Sequence, residues 1–229
     1  MLKLPRLYPI IDAACFSSAS DPVRAMADYM RELLAGGVTL IQYRNKTGSS
    51  REMLSHAREL RRLAAAASRQ PPPETAVKLI MNDRADLCLA ADFDGVHVGQ
   101  HDLPVTAVRA IVGPYRDEPG AASATYRWVG LSTNLPEQVR EADGLPVDYI
   151  AVGPVFMTGS KADADPATGL EGVRRARALT NKPLVAIGGI TRKNCRQVIE
   201  AGADSVCVIS DLLNDPRGAA REFLTEMGS

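Results

Sequence analysis

The sequence predicts the α/β class, with a single-domain (β/α)8 barrel of the TIM type spanning residues 1–229. Eight short apolar segments alternate with eight longer amphipathic segments, a pattern typical of parallel strands joined by right-handed helical crossovers. With 229 residues and 45% hydrophobic content, the chain can bury one substantial core. The rival is an open doubly wound sheet, but its usual Gly-x-Gly-x-x-Gly turn is absent after the first strand. The closed barrel is therefore favoured.

Apolar periodicity and the turn residues between segments place the individual elements. Strands are predicted at residues 7–11, 39–43, 79–81, 95–98, 128–131, 149–152, 184–187 and 205–209. Helices are predicted near residues 21–35, 50–67, 84–91, 104–112, 135–142, 171–179, 192–201 and 216–226. The proline-rich stretch 70–74 and the polar stretch 114–126 interrupt this rhythm and are predicted to be surface loops.

Start and stop signals mark two of the helices most clearly. Asp21 followed by Pro22 opens the first helix, and Gly36 with Gly37 closes it. Thr191 is expected to cap the seventh helix, and Gly202 is expected to end it.

Composition excludes several classes of partner. The chain has 27 basic and 27 acidic residues and no basic block, which argues against a general nucleic-acid surface. No apolar run approaches the ~20 residues that a membrane span needs. Its four cysteines lack metal-ligand spacing and are expected to be reduced thiols in a cytoplasmic protein. The expected partners are small molecules, and a homo-oligomer remains possible.

Three polar side chains at the end of the second strand point to an anion site. Gln42, Arg44 and Lys46 follow one another at a spacing of two and therefore share one face of the strand. Two cations at the exit of a buried strand are costly unless something anionic meets them, and a ligand is the expected anion. Polar residues also follow the other strands at this end, whereas the opposite strand ends carry ordinary apolar or surface residues. This asymmetry predicts one site at the carboxyl ends of the strands, the usual place in such barrels.

Two further groups at these strand ends have both a functional and a structural interpretation. Asp83 and Asp102 offer hard oxygen ligands that suit Mg²⁺, but each could instead cap the helix that follows it. Gly188-Gly189 and Ile209-Ser210 follow the seventh and eighth strands, where such barrels usually bind phosphate, although Gly-Gly alone could be a tight turn. His97 is expected to be a satisfied barrel residue and His101 a bystander, so neither receives a catalytic role.

At these strand ends the chain resembles the thiamine phosphate synthase family, over nearly its whole length. The motifs that carry the resemblance occur in the family's order: Gln42-x-Arg44-x-Lys46, Asn82-Asp83-Arg84, His97-Val98-Gly99-Gln100-x-Asp102, Gly130-Leu131-Ser132, Gly153-Pro154-Val155-Phe156-x-Thr158-x-Ser160-Lys161, Ala186-Ile187-Gly188-Gly189-Ile190 and Ile209-Ser210. The resemblance implies a (β/α)8 transferase that joins hydroxymethylpyrimidine diphosphate to a thiazole phosphate. Its products would be thiamine monophosphate and pyrophosphate, and it would require Mg²⁺.

The resemblance also implies roles for particular residues. The pyrimidine diphosphate would be bound by Gln42, Tyr43, Arg44, Asn45, Lys46, Asn82, Ser132 and Lys161, with Arg44, Lys46, Ser132 and Lys161 acting in catalysis. Mg²⁺ would be held by Asp83 and Asp102. The thiazole phosphate would be contacted by Thr158, Gly159, Ser160, Gly188, Ile209 and Ser210.

Some residues depart from the family pattern. Met157 stands where proline is common, Ser160 where threonine is common, and Asn134 where many members have histidine. The hydroxyl of Ser160 preserves a phosphate contact in principle, and residues 156–165 are expected to close over the site.

A dissociative substitution fits the residues because no Ser–His or Cys–His pair suggests a protein nucleophile. The alternatives are a thiazole tautomerase of the same superfamily, a non-catalytic phosphate-ligand sensor, and a phosphosugar isomerase or epimerase barrel. The tautomerase would need an acid–base group, and the isomerase a carboxylate base deep in the site.

Overall fold

Eight parallel strands pair in chain order and close into a barrel, with the last strand beside the first. This computed structural model describes residues 2–68, 76–115, 126–157 and 166–228. Its strands are β1 Leu7–Asp12, β2 Leu40–Arg44, β3 Lys78–Asn82, β4 Gly95–Val98, β5 Trp128–Thr133, β6 Tyr149–Val152, β7 Leu184–Ile187 and β8 Ser205–Val208. The helices in the described ranges are α1 Pro22–Ala35, α2 Ser50–Ala67, α3 Ala85–Ala90, α4 Val105–Val112, α5 Pro136–Gly144, α6 Gly169–Leu179, α7 Cys195–Glu200 and α8 Pro216–Glu226. The predicted (β/α)8 barrel is confirmed.

Alternation along each strand produces two apolar layers. Inward side chains fill the barrel, among them Leu40 and Ile80, while outward side chains such as Ile41 pack under the ring of helices. The register aligns Ile10 of β1 with Gln42 of β2 and Ile80 of β3. Gln42 therefore lies among inward-facing positions, and the polar site is built directly on the barrel core.

The capping signals hold for the first helix and fail in part for the seventh. The Asp21 side chain accepts a hydrogen bond from the backbone of Arg24 at 3.0 Å, and Gly37 ends α1 with φ of 96°. Gly202, with φ of 113°, closes α7 as predicted. Thr191 does not cap α7, because Asn194 Oδ1 accepts from the backbone N–H of Thr191 and forms a turn that delays the helix.

The amino ends of the strands are not ordinary, contrary to the expectation from sequence. Asp148 immediately precedes β6, and its carboxylate accepts from the backbone N–H of Val129 at 2.7 Å and from Arg109 at 2.5 Å. Arg109 also donates to the carbonyl oxygens of Pro146 and Arg127, both at 2.8 Å. Its guanidinium therefore ties three connections together beneath the barrel.

The same arrangement recurs around the amino end. In each repeat an arginine from an even-numbered helix and a backbone N–H from the next strand meet an aspartate that precedes the strand after it. The other two sets are Arg61, Leu79 and Asp94 before β4, and Arg177, Leu184 and Asp204 before β8.

In the described ranges, no helix has both the length and the apolar character of a membrane span.

Candidate active site

A pocket opens inside the barrel at the carboxyl ends of the strands. It is lined by Tyr8, Ile10, Gln42, Arg44, Asn82, His97, Ser132, Ala151, Val185, Ile187, Cys207 and Ile209. Its deeper wall is apolar on the β6–β8 side, whereas the β2–β5 side presents amide, imidazole and hydroxyl groups. Such a pocket suits a flat heterocycle with polar atoms along one edge.

A chain of buried hydrogen bonds crosses the base of this pocket. The side-chain amide of Gln42 donates from Nε2 to the Tyr8 hydroxyl at 3.0 Å, and the hydroxyls of Tyr8 and Tyr149 lie 2.9 Å apart. The Tyr149 hydroxyl is 3.1 Å from His97 Nδ1, and His97 Nε2 is 2.8 Å from Ser132 Oγ. His97 is thus bonded at both ring nitrogens, which confirms that it is a satisfied barrel residue.

Gly130 makes room for this chain. A Cβ atom at Gly130 would lie 2.1 Å from Tyr149 Cζ and 2.5 Å from His97 Nδ1, so any side chain would displace both rings. The two rings stack with their centroids 5.5 Å apart. Burial raises the pKa of the Tyr8 and Tyr149 hydroxyls well above the ordinary value, and both therefore stay protonated.

Asp12 is a site residue that sequence reasoning did not single out. Its carboxylate forms an ion pair with Arg44, its neighbour in the strand register, and also accepts from the backbone N–H of Ala14 at 3.1 Å. A protein carboxylate therefore already meets one of the two cations of the second strand, and a ligand is not the only anion there. The pairing holds the guanidinium at the rim of the pocket.

Lys46, Asp83 and Asp102 form a second charged cluster at the rim. Lys46 Nζ lies 2.5 Å from Asp83 Oδ2, and the carboxyl of Asp102 neighbours that of Asp83. Burial, together with the neighbouring Asp102, raises the pKa of Asp83, although Lys46 opposes the rise. Burial acts against ionisation of Asp102 too, but donation from Gly99 N–H at 2.8 Å and from Asp83 keeps the Asp102 pKa below its usual value.

Neither aspartate caps the helix that follows it. The residue before α3 is Arg84 and the residue before α4 is Pro104, and neither helix start has a side-chain hydrogen bond. Asp83 instead adopts φ of 60°, a left-handed conformation that is uncommon outside glycine, although aspartate and asparagine adopt it more readily than other residues. Backbone strain at an acidic residue beside a pocket is typical of a functional position.

Asn82 contributes a buried donor with no protein acceptor. Its side-chain Nδ2 is inaccessible and has no hydrogen-bond partner among the described residues, although the residue lines the pocket. Leaving such a group unpaired costs about 1–3 kcal/mol, so a ligand acceptor at this point would be favoured.

Comparisons with known proteins agree with this geometry. A family model described as thiamine monophosphate synthase matches residues 7–212. The chain belongs to this family. A thiamine-phosphate synthase of Koribacter versatilis is 56% identical, with 97% of this chain and 96% of the relative aligned. A second, from Shouchella clausii, is 41% identical over 90% of each chain.

A solved structure shows the same likeness. The thiamine phosphate pyrophosphorylase from Pyrococcus furiosus is 31% identical and superimposes with a TM-score of 0.77, covering 97% of this chain and 95% of its own. Membership in the family makes this chain a transferase of thiamine biosynthesis. These relatives carry the name of the synthase, and the tautomerase, sensor and isomerase interpretations gain no support from them.

Against this background, the side chains of Tyr43 and Asn45 lie outside the pocket, contrary to the role implied by the resemblance. The Tyr43 hydroxyl is 2.9 Å from His56 Nδ1 on α2, because odd-numbered positions of β2 face the helices. Asn45 donates to the Tyr43 hydroxyl and accepts from the backbone of Gly48 at 2.8 Å, which shapes the turn after β2. Any substrate contact from these two residues would have to come from the backbone.

The residues expected at the thiazole phosphate lie on the far side of the barrel mouth. Gly188 has φ of 104°, and a Cβ there would lie 2.6 Å from Pro154 Cα, so this glycine is required for the close approach of the segment after β6. Ile209 lines the pocket, and Ser210 begins a short 3-10 turn at Ser210–Leu212. The predicted site residues outside the described ranges are Thr158, Gly159, Ser160 and Lys161.

The donor set at Asp83 and Asp102 fits Mg²⁺. No group of three or more His, Cys, Asp or Glu side chains in the described ranges could hold a metal. Mg²⁺ does not need such a group, since it commonly binds one or two carboxylates and takes its other ligands from water and substrate phosphates. Two neighbouring carboxyls, one of which raises the pKa of the other, repel each other when both are ionised, and a divalent cation would relieve that repulsion.

Proposed function

We propose that this chain joins 4-amino-2-methyl-5-hydroxymethylpyrimidine diphosphate to a thiazole phosphate, yielding thiamine monophosphate and pyrophosphate with Mg²⁺ required. The thiazole phosphate is 4-methyl-5-(2-phosphooxyethyl)thiazole or its carboxylated tautomer. The observation that carries the proposal is a pocket lined by Arg44 and Asn82, with the Lys46–Asp83 ion pair and the neighbouring Asp102 just beyond them at the same strand ends. This arrangement suits a heterocycle inside the barrel and a diphosphate at its rim.

Leaving-group departure is the step to which the charged groups contribute. Arg44 and Lys46, with Lys161 in the same role, stabilise the negative charge that grows on the departing pyrophosphate. Asp83 and Asp102 would hold Mg²⁺, which would further neutralise the charge of the diphosphate. Asp12 keeps the Arg44 guanidinium oriented before substrate arrives, so that little reorganisation is needed during the reaction.

The pyrimidine ring carries the positive charge that develops at its methylene carbon. Gln42, Asn82 and Ser132 hold the polar edge of the ring and orient that carbon toward the thiazole nitrogen. Thr158, Gly159, Ser160, Gly188, Ile209 and Ser210 are proposed to bind the phosphate of the thiazole. Bond formation then needs no protein nucleophile. The predicted closure of residues 156–165, of which 158–165 lie outside the described ranges, would exclude water from the cation.

The decisive assay mixes purified protein with both precursors and Mg²⁺ and follows thiamine phosphate by oxidation to fluorescent thiochrome. We expect product that depends on both substrates, and an Asp102→Asn variant that needs far more Mg²⁺ for the same rate. Lys161→Ala should slow pyrophosphate release more than it weakens thiazole phosphate binding. Folded protein that makes no product with millimolar substrates would contradict the proposal.

The same proposal includes a cytoplasmic location and small molecules as the only ligands. All four cysteines lie in the described ranges and form no disulfide, which supports a reducing compartment. Fractionation of cells producing the native chain tests this point.

A further inference from the structure

The hydrogen bonds at the base of the pocket have one arrangement in which both tyrosine protons meet an acceptor among these residues. Gln42 donates from its amide nitrogen to Tyr8, and an amide nitrogen accepts nothing in return. The Tyr8 oxygen can accept twice, but the Tyr8 proton has an acceptor among these residues only when it is donated to the oxygen of Tyr149. Tyr149, having accepted there, gives its own proton to Nδ1 of His97.

The His97 imidazole extends the same direction of hydrogen bonding to Ser132 on the opposite wall of the pocket. A neutral imidazole that accepts at Nδ1 carries its proton on Nε2. His97 Nε2 then donates to Ser132 Oγ at 2.8 Å. The hydroxyl proton of Ser132 is consequently directed away from His97 and toward the pocket that this residue lines.

The result is a pocket wall with a defined pattern of one acceptor and two donors. Gln42 presents its carbonyl Oε1, because its nitrogen is engaged with Tyr8. Ser132 presents a hydroxyl proton, and Asn82 supplies the Nδ2 that lacks a partner among the described residues and that a shift of its side chain would bring to the pocket. A 4-aminopyrimidine offers the complement, since it has one exocyclic amine that donates and two ring nitrogens that accept.

We propose that Tyr8, Tyr149 and His97 are positioning residues that set this polarity and so select a 4-aminopyrimidine over its 4-oxo analogue. The inference rests on the proposed function for the identity of the pyrimidine substrate. The 4-oxo ring carries a donor at N3 and an acceptor at C4, which reverses two of the three hydrogen bonds. A site built to hydrogen-bond one pattern rejects the reversed pattern strongly, because its buried groups are then unpaired.

The structure around the two tyrosines and His97 supports a fixed direction of these hydrogen bonds. Tyr8 and Tyr149 are almost completely buried, and burial keeps both hydroxyls protonated and able to donate. Gly130 leaves the space in which Tyr149 and His97 stack, so the rings have little freedom to exchange partners. Reversing the bond between the two tyrosines would leave the Tyr8 proton without an acceptor among these residues.

The test compares kcat/KM for the 4-amino and 4-oxo pyrimidine diphosphates, with the thiazole phosphate and Mg²⁺ saturating. Pyrophosphate release is the readout, because it reports both substrates equally. We expect the wild type to prefer the amino substrate by at least ~100-fold, by analogy with other sites that read hydrogen bonds. Tyr149→Phe removes the donor to Nδ1 of His97, lets the imidazole change tautomer, and should lower the preference at least ~10-fold.

A second variant and a matched control separate positioning from folding. Tyr8→Phe frees the amide of Gln42 to rotate and should also lower the preference, even if Tyr149→Phe does not fold. Tyr29→Phe removes another buried hydroxyl, on α1 and away from the pocket, and should leave the preference unchanged. An equal fall for both substrates in both pocket variants would overturn the inference.

Binding of the two pyrimidine alcohols, measured by calorimetry, reads the same preference without turnover. If the wild type makes no product but binds the amino alcohol more tightly, and Tyr8→Phe abolishes that difference, the proposed function fails while the polarity stands. If the wild type makes product but both variants keep its full preference for the amino substrate, the tyrosines do not set the hydrogen-bond pattern, while the proposed function stands.

Discussion

The two ends of the barrel use the same side chains, aspartate with arginine or lysine, under opposite conditions. At the amino end, Asp148 accepts from both a strand N–H and Arg109, and the pair is almost fully buried. At the carboxyl end, Asp83 lies beside Asp102 and holds Lys46, which is half-exposed. The amino end directs its charges onto the backbone, whereas the carboxyl end directs them into a pocket.

The difference shows which charges stabilise the fold and which await a ligand. A carboxylate that receives backbone N–H groups and a buried guanidinium joins neighbouring connections and strengthens the barrel. Like charges held together, an unpaired amide at Asn82 and a left-handed Asp83 each oppose folding. Such features are typical of a site in which the binding of substrate and cation relieves the unfavourable interactions.

The largest effect should come from the amino end. Asp148→Ala leaves the buried Arg109 guanidinium without its counter-charge, and we expect a loss of about 3–5 kcal/mol in the free energy of unfolding. Urea denaturation followed by circular dichroism measures the loss. Activity per folded molecule should stay near the wild-type value at temperatures where the variant is folded.

Glu32→Ala provides the matched control, because it breaks an exposed ion pair with Arg217 between α1 and α8. Its cost should be below about 1 kcal/mol. If Asp148→Ala costs no more than this control, the two ends do not differ in the way we describe.

The second effect should appear at the carboxyl end, where the loss of an aspartate should lower activity and not stability. Asp83→Asn keeps a residue that tolerates φ of 60° and removes one of two neighbouring negative charges. We expect kcat/KM to fall about 100-fold, typical of losing one electrostatic group in a site, while the melting temperature stays equal or rises. Magnesium titrations of the rate and thermal melts measure the two quantities. A lower melting temperature with retained activity would make Asp83 a structural residue like Asp148.

Much of the carboxyl end could be predicted because it depends on short-range pattern. The spacing of Gln42, Arg44 and Lys46 places them on one strand face, and the barrel rule places that face in the site. Tyr43 shows the limit of reading a motif as a block, since the same alternation turns its side chain toward α2.

The rest depends on contacts between distant parts of the chain. Asp12 meets Arg44 only because β1 and β2 pair in one particular register. Tyr8 and Tyr149 are separated by 141 residues and meet only when the barrel closes. Asp148 looks like an ordinary loop residue in sequence, and its importance appears only once Arg109 and Val129 are beside it.

The third effect concerns the Asp12–Arg44 ion pair. It is largely buried like the pairs at the amino end, but it lies at the pocket like the charges of the carboxyl end. Asp12→Asn keeps an oxygen for the Ala14 N–H but removes the charge that orients Arg44. We expect about a tenfold fall in kcat/KM, mainly through a higher KM for the pyrimidine diphosphate, with little change in stability. Steady-state kinetics and inhibition by pyrophosphate measure it. Unchanged kinetics with a large loss of stability would assign the pair to the structural class.

The smallest effect tests whether proximity to the carboxyl end is enough to make a polar residue functional. His56 packs behind β2 against Tyr43, and burial lowers its pKa although Glu52 opposes the shift. Because the unfolded chain then binds a proton more readily than the native state, stability should decline as pH falls through the ordinary histidine range. His56→Gln should make the decline between pH 7 and 5.5 shallower in urea denaturation, and the exposed His101→Gln should not. A change in kcat/KM for His56→Gln without this change in slope would place the Tyr43–His56 pair in the site after all.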